Sequence, residues 1–218
     1  MKQELIFLGP PACGKGTQTN RLSEYLGFPH IDTGSLLRAE ISKATPDGLV
    51  AKSFIDKGQL VPPELVGNII RNRLSEKDCY AGYVLDGYPR SIVQAELLEK
   101  INSDIDGEKA DFKAIYFDID VELLIERIVN RQSCPKCGEI YNKKHKPPKK
   151  ENICDKCNVE LKTRADDTED IARARFDTYY RETAPLIEFY ENKGVLYKMD
   201  ANGSIDEVWD RLIKIVKK

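Results

Sequence analysis

The chain has 218 residues, of which 41% are apolar and 32% charged; this suits one substantial domain with a smaller insertion and argues against disorder. The 34 basic and 36 acidic residues nearly balance, so the net charge of −2 favours neither nucleic acid nor a membrane as a partner. No apolar run approaches the ~18–20 residues of a membrane span, and residues 1–10 lack a signal-peptide pattern, so we expect a cytoplasmic protein.

Short apolar runs typical of buried strands alternate along the chain with longer amphipathic stretches typical of helices. Repeated strand–helix units predict an α/β fold with a mostly parallel five-stranded sheet, covered by helices on both faces. In such sheets ligands bind beyond the C-terminal ends of the strands. The predicted strands lie at residues 5–8, 28–31, 83–85, 114–117 and 195–197, and the predicted helices at 15–26, 91–101, 121–130 and 205–216.

Two regions interrupt this alternation. Residues 32–61 look helical throughout, and Pro62 and Pro63 then begin another helix, with proline in its first turn. Residues 131–163 are rich in Lys, Cys, Pro and Gly and poor in large apolar side chains. Because this second segment cannot build a hydrophobic core of its own, we expect another interaction to hold it together.

A glycine-rich loop at residues 9–17 joins the first predicted strand to the first helix and reads Gly-Pro-Pro-Ala-Cys-Gly-Lys-Gly-Thr. This is the spacing of a P-loop, in which backbone N–H groups and a lysine, here Lys15, cradle the phosphates of a nucleoside triphosphate. A glycine-rich turn is the alternative, but the strand before it and the helix after it are the context that the motif requires. Ala12 stands in mid-loop, where a positive φ would cost of order 1 kcal/mol.

A second candidate segment, residues 85–90, reads Leu-Asp-Gly-Tyr-Pro-Arg directly after an apolar strand. Asp86 would therefore lie at the C-terminal edge of the sheet, where a carboxylate can hold Mg²⁺ through its water shell. An ordinary Asp-Gly turn is the alternative. Arg90, four residues further on, favours the functional interpretation.

Arginines neutralise the charge on a transferring phosphoryl group, because the planar guanidinium binds phosphate oxygens in pairs. Taken singly, an arginine is more often a solvated surface charge. Arg127 and Arg131 are spaced i, i+4, so we expect them to share one face of a helix. Asp166 and Asp167 either orient such arginines or cap the following helix. The other candidates are Arg38, Arg164, Arg173 and Arg175.

Four cysteines form two Cys-x-x-Cys pairs, Cys134 with Cys137 and Cys154 with Cys157, at the spacing of a tetrahedral zinc site. Four thiolates leave no open coordination position, so the zinc would be structural and would hold residues 131–163 together. Two disulfides are one alternative, which a reducing compartment disfavours. A zinc ribbon that binds nucleic acid through nearby lysines is another, which the lack of an aromatic stacking pattern disfavours.

These motifs together resemble those of the adenylate kinase family, in the same order and from about residue 1 to residue 215. The segment at 131–163 resembles the long form of lid that carries zinc. The resemblance rests on the loop 9–17, the segments 30–38, 58–62 and 85–90, Gln94, Arg127, Arg131 and the segment 164–175.

The resemblance implies a P-loop, three-layer α/β/α fold in three parts: a core at residues 1–31, 62–129 and 168–218, a helical AMP-binding (NMP) domain at 32–61, and a small zinc-bearing lid at 130–167. It implies a monomer that transfers the terminal phosphoryl group of ATP to AMP with Mg²⁺, giving two ADP, in adenine nucleotide homeostasis and purine salvage. One alternative is a kinase for UMP, CMP or GMP. The other is a P-loop zinc-ribbon protein that binds nucleotide.

The resemblance also assigns ATP-binding and catalytic residues. The P-loop, the lid side and the C-terminal segment would contact ATP, and a lysine, an aspartate and five arginines would carry catalysis. The ATP residues are Ala12, Cys13, Gly14, Lys15, Gly16, Thr17, Arg127, Arg131, Ile140, Tyr141 and Gly203, and the catalytic residues are Lys15, Asp86, Arg90, Arg127, Arg131, Arg164 and Arg175.

At the AMP site the resemblance implies that Gln94 recognises the adenine edge through its amide. Three departures from the family pattern are Ala12 in place of glycine, an exchange of the usual positions of Asp32 and Ser35, and Gln132 where arginine is common. The AMP residues are Thr33, Arg38, Gln59, Leu60, Val61, Gly87, Tyr88, Pro89, Arg90, Gln94, Arg164 and Arg175.

Overall fold

Five parallel strands form the central sheet of the computed structural model, which describes residues 2–106, 110–120 and 124–217. Their order is β2-β3-β1-β4-β7, and each neighbouring pair is parallel, which confirms the predicted fold class. A separate antiparallel pair, β5 with β6, lies in the cysteine-rich segment. The strands are β1 (Gln3–Leu8), β2 (His30–Asp32), β3 (Gly82–Asp86), β4 (Asp111–Asp118), β5 (Arg131–Ser133), β6 (Ile140–Asn142) and β7 (Leu196–Asp200).

Helices cover both faces of this sheet. Helices α1 and α9 have the bounds predicted from the sequence, and Gly14 and Gly27 flank α1 in left-handed conformations. A π-helical turn at Tyr179–Thr183 separates α7 from α8. The helices are α1 (Lys15–Leu26), α2 (Thr33–Ser42), α3 (Pro46–Ile55), α4 (Pro63–Leu74), α5 (Ile92–Asp106), α6 (Leu124–Val129), α7 (Glu169–Thr178), α8 (Pro185–Asn192) and α9 (Ile205–Val216).

The alternation of side chains along β1 explains the three layers. Leu5 and Phe7 are buried against α1 and α9, together with Leu212. Ile6 and Leu8 are buried in a second cluster on the opposite face, with residues of α4, α5 and α8. Since successive side chains of a strand point to opposite faces, a strand that is apolar at every position requires cover on both sides.

One local prediction is wrong: Arg127 and Arg131 do not share a helix face. Helix α6 ends at Val129, and Arg131 begins β5. The backbone of Arg131 pairs with Asn142 in the β5–β6 hairpin, so the chain leaves the helix in order to form this turn. The first residues of the helix predicted at 121–130 lie outside the described residues.

The cysteine-rich segment has a small buried group rather than a core of the usual size. Cys134, Tyr141, Cys154 and Leu161 are buried together, away from the two clusters of the sheet. None of the helices in the described ranges combines the length and the apolar content that crossing a bilayer requires.

Candidate active site

A cavity of about 980 Å³ opens beyond the C-terminal ends of β1 and β3. Every residue predicted for the ATP site, the AMP site and catalysis lines this one cavity, including Gly203 near the start of α9 and Ile140 in β6. Residues that are distant along the chain therefore meet at the sheet edge where parallel α/β folds bind ligands.

The P-loop wraps the start of α1. Gly14 caps the helix with a φ of 95°, and Ala12 has a φ of 62°, so the positive φ considered from the sequence is present. Lys15 Nζ donates to the carbonyl oxygens of Gly9 at 2.6 Å and Pro10 at 3.0 Å. A Cβ on Gly16 would lie 2.9 Å from Cδ1 of Ile140, so β6 approaches the loop closely at this glycine.

Asp86 is a buried carboxylate at the end of β3, next to the P-loop. Thr19 Oγ1 lies 3.3 Å from its Oδ2, and His30 Nε2 lies 3.8 Å from the same oxygen. Burial alone would raise the pKa of Asp86, but the hydrogen bond with His30 and the positive charge of Lys15 lower it. The group is therefore held as a carboxylate.

Sequence reasoning missed Thr19 and His30, which contact each other at 3.0 Å beside Asp86. One signal was available: Thr19 lies one turn after Lys15 on α1, on the same face. The other was the register of the sheet, in which Asp32 of β2 pairs with Asp86 of β3 and so brings His30 near.

Asp166 and Asp167 orient two arginines that line the cavity, which confirms one of the two interpretations of the sequence. Asp167 pairs with Arg131, whose Nε lies 2.8 Å from its Oδ2, and with Arg175 at 3.4 Å; Asp166 pairs with Arg175 at 3.4 Å. The capping interpretation is wrong, because Thr168 caps α7.

Five half-buried arginines line the cavity and form what we call the arginine cluster: Arg90, Arg127, Arg131, Arg164 and Arg175. Burial, with neighbouring guanidinium groups, lowers the pKa of Arg164 and of Arg175 to about 10. Arg90 donates from Nε to the carbonyl oxygen of Gly87 at 2.7 Å, and its backbone N–H donates to Gln94 Oε1 at 2.8 Å. Half-buried cations that repel one another favour the binding of an anion between them.

The sequence model of the adenylate kinase family matches residues 7–195. The chain belongs to the adenylate kinase family. It is 42% identical to the adenylate kinase of Thermotoga petrophila over 217 residues, which cover 99% of this chain and 98% of that protein. It is 44% identical to the adenylate kinase of Archaeoglobus fulgidus over 214 residues, 98% of each chain. Another relative at 44% identity, from Clostridium kluyveri, matches 208 residues, 95% of each chain.

Adenylate kinase family membership makes the chain a phosphotransferase of the nucleoside monophosphate kinase type. The geometry agrees with that chemistry. The cavity brings the glycine-rich loop at residues 9–17 together with the arginine cluster, and phosphoryl transfer depends on positioning and on charge neutralisation.

The four paired cysteines meet at one point in this member of the adenylate kinase family. Their sulfur atoms all lie within 4.8 Å of one another, and all four are free thiols. The sulfurs of Cys137 and Cys154 are 3.8 Å apart, close to the roughly 3.8 Å that Zn–S bonds of about 2.3 Å give at a tetrahedral centre.

Both halves of this cysteine cluster fold in the same way. Cys134 and Cys154 each accept, at the carbonyl oxygen, a bond from the fourth residue on, Gly138 and Asn158, which have φ of 74° and 54°. Burial disfavours the Cys154 thiolate, but bonds from Tyr141 and nearby backbone N–H groups lower its pKa to about 6. Such turns and a stabilised thiolate fit a metal with sulfur ligands.

The structure shows the hydrogen bonds made at the other two departures from the family pattern, Asp32 and Gln132. Asp32 caps α2 and accepts from the backbone N–H groups of Gly34 and Ser35. Gln132 is buried in the β5–β6 hairpin and donates to Asn152 Oδ1 at 2.8 Å. Gln132 is therefore a structural residue of the hairpin.

Proposed function

We propose that the chain catalyses the reversible, Mg²⁺-dependent transfer of the terminal phosphoryl group of ATP to AMP, which gives two ADP. One observation carries this proposal: the P-loop and the arginine cluster both line a single cavity of about 980 Å³. That volume is at the upper end of the ~300–1,000 Å³ range of small-molecule pockets, as two nucleotides bound end to end require.

The ATP end would be built from the P-loop, the lid hairpin and the start of α9. Backbone N–H groups of residues 12–17 and the positive end of α1 would hold the phosphates. Lys15 would exchange its bonds to the carbonyl oxygens of Gly9 and Pro10 for phosphate oxygens. Ile140 and Tyr141 would contact the nucleotide from the lid, and the backbone at Gly203 would approach the adenine.

The AMP end would be built from α2, the segment at residues 59–61 and the loop after β3. Arg38 and Arg90 would bind the phosphate of AMP, and Thr33 would contact its base. The Gln94 amide is buried beside Arg90 and would read the adenine edge. An amide reads adenine because it donates one hydrogen bond and accepts another.

The donors near Asp86 fit a magnesium ion. Its carboxylate and the Thr17 hydroxyl both line the cavity, and Mg²⁺ takes oxygen ligands while it keeps several waters. When bound, the ion would neutralise negative charge on the phosphates. His30 and Thr19 would keep the carboxylate of Asp86 oriented toward this position.

Catalysis would rest on charge and on the exclusion of water. Arg127, Arg131, Arg164 and Arg175 would surround the transferring group, whose charge spreads over its oxygens. A general base is unnecessary, because the attacking phosphate oxygen of AMP is already anionic. The lid, which reaches Gly16 through Ile140, would keep water away and so prevent hydrolysis.

We also propose zinc at the four cysteines, as the metal that their spacing and their sulfur–sulfur distances fit. The division into a core, an AMP-binding domain at 32–61 and a lid at 130–167 stays a prediction. So do the monomeric state, the cytoplasmic location and the expectation that nucleic acid is not a partner.

The direct test is ADP formation from ATP with AMP, UMP, CMP or GMP as the acceptor. We expect AMP to give by far the highest kcat/KM. A preference for another monophosphate would show that Gln94 has been misassigned. ATP hydrolysis that does not depend on any monophosphate would instead favour a nucleotide-binding switch. Metal content of the same sample tests the zinc assignment.

A further inference from the structure

One carboxylate, that of Asp32, does two things at the mouth of the AMP site. It caps α2, accepting from the backbone N–H groups of Gly34 at 3.0 Å and Ser35 at 3.1 Å, and from the Ser35 hydroxyl. It also pairs with Arg38, whose Nη2 lies 3.2 Å from the Oδ2 of Asp32 and 3.1 Å from the Oγ of Ser35. The capping bonds fix the carboxylate next to the arginine.

Arg38 faces both Asp32 and the cavity. Its side chain lines the cavity and is about one-third exposed, at 33%, so a ligand can reach it. Asp166 and Asp167 pair instead with Arg131 and Arg175.

The charge of Asp32 extends beyond this pair. Burial lowers the pKa of Arg90 and of Arg164, and the negative charge of Asp32 opposes that shift in both. Asp32 therefore reduces the net positive charge of the surface that would receive the phosphate of AMP.

We propose that Asp32 is a positioning residue that holds Arg38 in place and competes with the monophosphate for it, so that it sets the affinity of the AMP site. This inference rests on the proposed function. A phosphate that binds Arg38 must displace the carboxylate or lie beside it. Because three capping bonds hold Asp32, it stays close, and the two negative charges repel each other.

Asp32→Asn and Asp32→Ser separate charge from capping, since Asn and Ser are both good N-cap residues. We expect each variant to lower KM for AMP about two- to fivefold, the range of a partly exposed ion pair. KM for ATP should not change. The dissociation constant of AMP alone, measured by calorimetry on the full-length protein, should fall by the same factor.

Two further variants provide controls. Asp47→Asn removes an exposed charge from α3, outside the cavity, and should leave KM for AMP unchanged. Asp32→Ala removes the cap as well as the charge, so its melting temperature should fall by about 2–4 °C while that of Asp32→Asn stays close to the parent value.

The possible results are distinct. If KM and the dissociation constant for AMP are unchanged or higher in Asp32→Asn and Asp32→Ser, Asp32 is only a helix cap and the inference is wrong. If the unmodified protein forms no ADP in an AMP-dependent way, the proposed function fails instead. Weaker binding of ATP in these variants would also contradict the inference, because Arg38 would then serve the other nucleotide.

Discussion

The sheet core and the lid hairpin are held together by different physical interactions. In the core, apolar side chains on both faces of β1 are buried under helices, as Leu5 and Ile6 illustrate. In the cysteine-rich segment, which we propose is a lid, four sulfurs and a few neighbouring side chains replace such layers. Burial of apolar surface stabilises a fold only when many residues contribute to it. A bound metal stabilises a segment that is too small to form a hydrophobic core of its own.

The same contrast separates the two groups of residues that we propose bind phosphate. The core presents backbone N–H groups and one lysine from a loop whose shape is fixed by the strand and helix around it. The lid junction presents arginines such as Arg131, whose direction depends on a buried partner, Asp167. The first arrangement belongs to one short segment, and the second exists only after distant segments have folded together.

The largest effect is expected at the core. Lys15→Met removes the only lysine of the P-loop, so turnover should fall by about 10³-fold or more. Initial rates of ADP formation, with a melting curve to show an intact fold, measure this. Near-normal turnover would mean that the loop does not bind the transferred phosphate.

At the lid junction, Arg131→Ala should lower kcat by about 10²–10³-fold and change KM for AMP far less, because this arginine would act on the transferring group. Steady-state kinetics with AMP varied give both values. Arg173→Ala is the matched control, since Arg173 is exposed on α7 and pairs with Glu169 at the surface. A rise in KM for AMP without a change in kcat would place Arg131 at the monophosphate instead.

Removal of the metal tests whether the two regions are stabilised independently. Cys154→Ser, or chelation, should abolish metal binding and expose lid amides to hydrogen exchange, while amides of β1 and β3 stay protected. Cys79→Ala removes a buried thiol distant from the cluster and should keep the full metal content. Unchanged lid protection without metal would contradict a stabilising site.

The smallest expected effect concerns backbone strain in the P-loop. Ala12→Gly should raise stability by about 0.5–1 kcal/mol, the cost of a left-handed alanine less the entropy that glycine adds to the unfolded chain. Ala44→Gly is a matched comparison, because Ala44 has a φ of 51° and lies outside the cavity. Both variants should melt about 1–4 °C higher. A lower melting temperature for Ala12→Gly alone would show that the alanine is favourable in this loop.

Local signals predicted most of the fold. The bounds of α1 were predicted from an amphipathic pattern that lies between Gly14 and Gly27. The strands were predicted from short apolar runs. The position of Arg131 did not follow, because the sequence shows its spacing from Arg127 but not the pairing of its backbone with Asn142.

The site was predictable where one short segment carries the chemistry, as in the P-loop and the Cys-x-x-Cys pairs. It was not predictable where the contact joins distant residues. Thr19 and Asp86 are 67 positions apart, and only the arrangement of α1 beside β3 brings them together. The pairing of Asp32 with Arg38 could not be predicted for a similar reason, because the capping of α2 already accounts for an aspartate at this position.

The measurement that bears most directly on two nucleotides reacting in one closed cleft is the fate of the terminal phosphate of ATP. With labelled ATP, AMP and Mg²⁺, the account predicts that nearly all label appears in ADP, with two ADP formed for each ATP consumed and almost no inorganic phosphate. Release of most of the label as inorganic phosphate, at a rate independent of AMP, would contradict it.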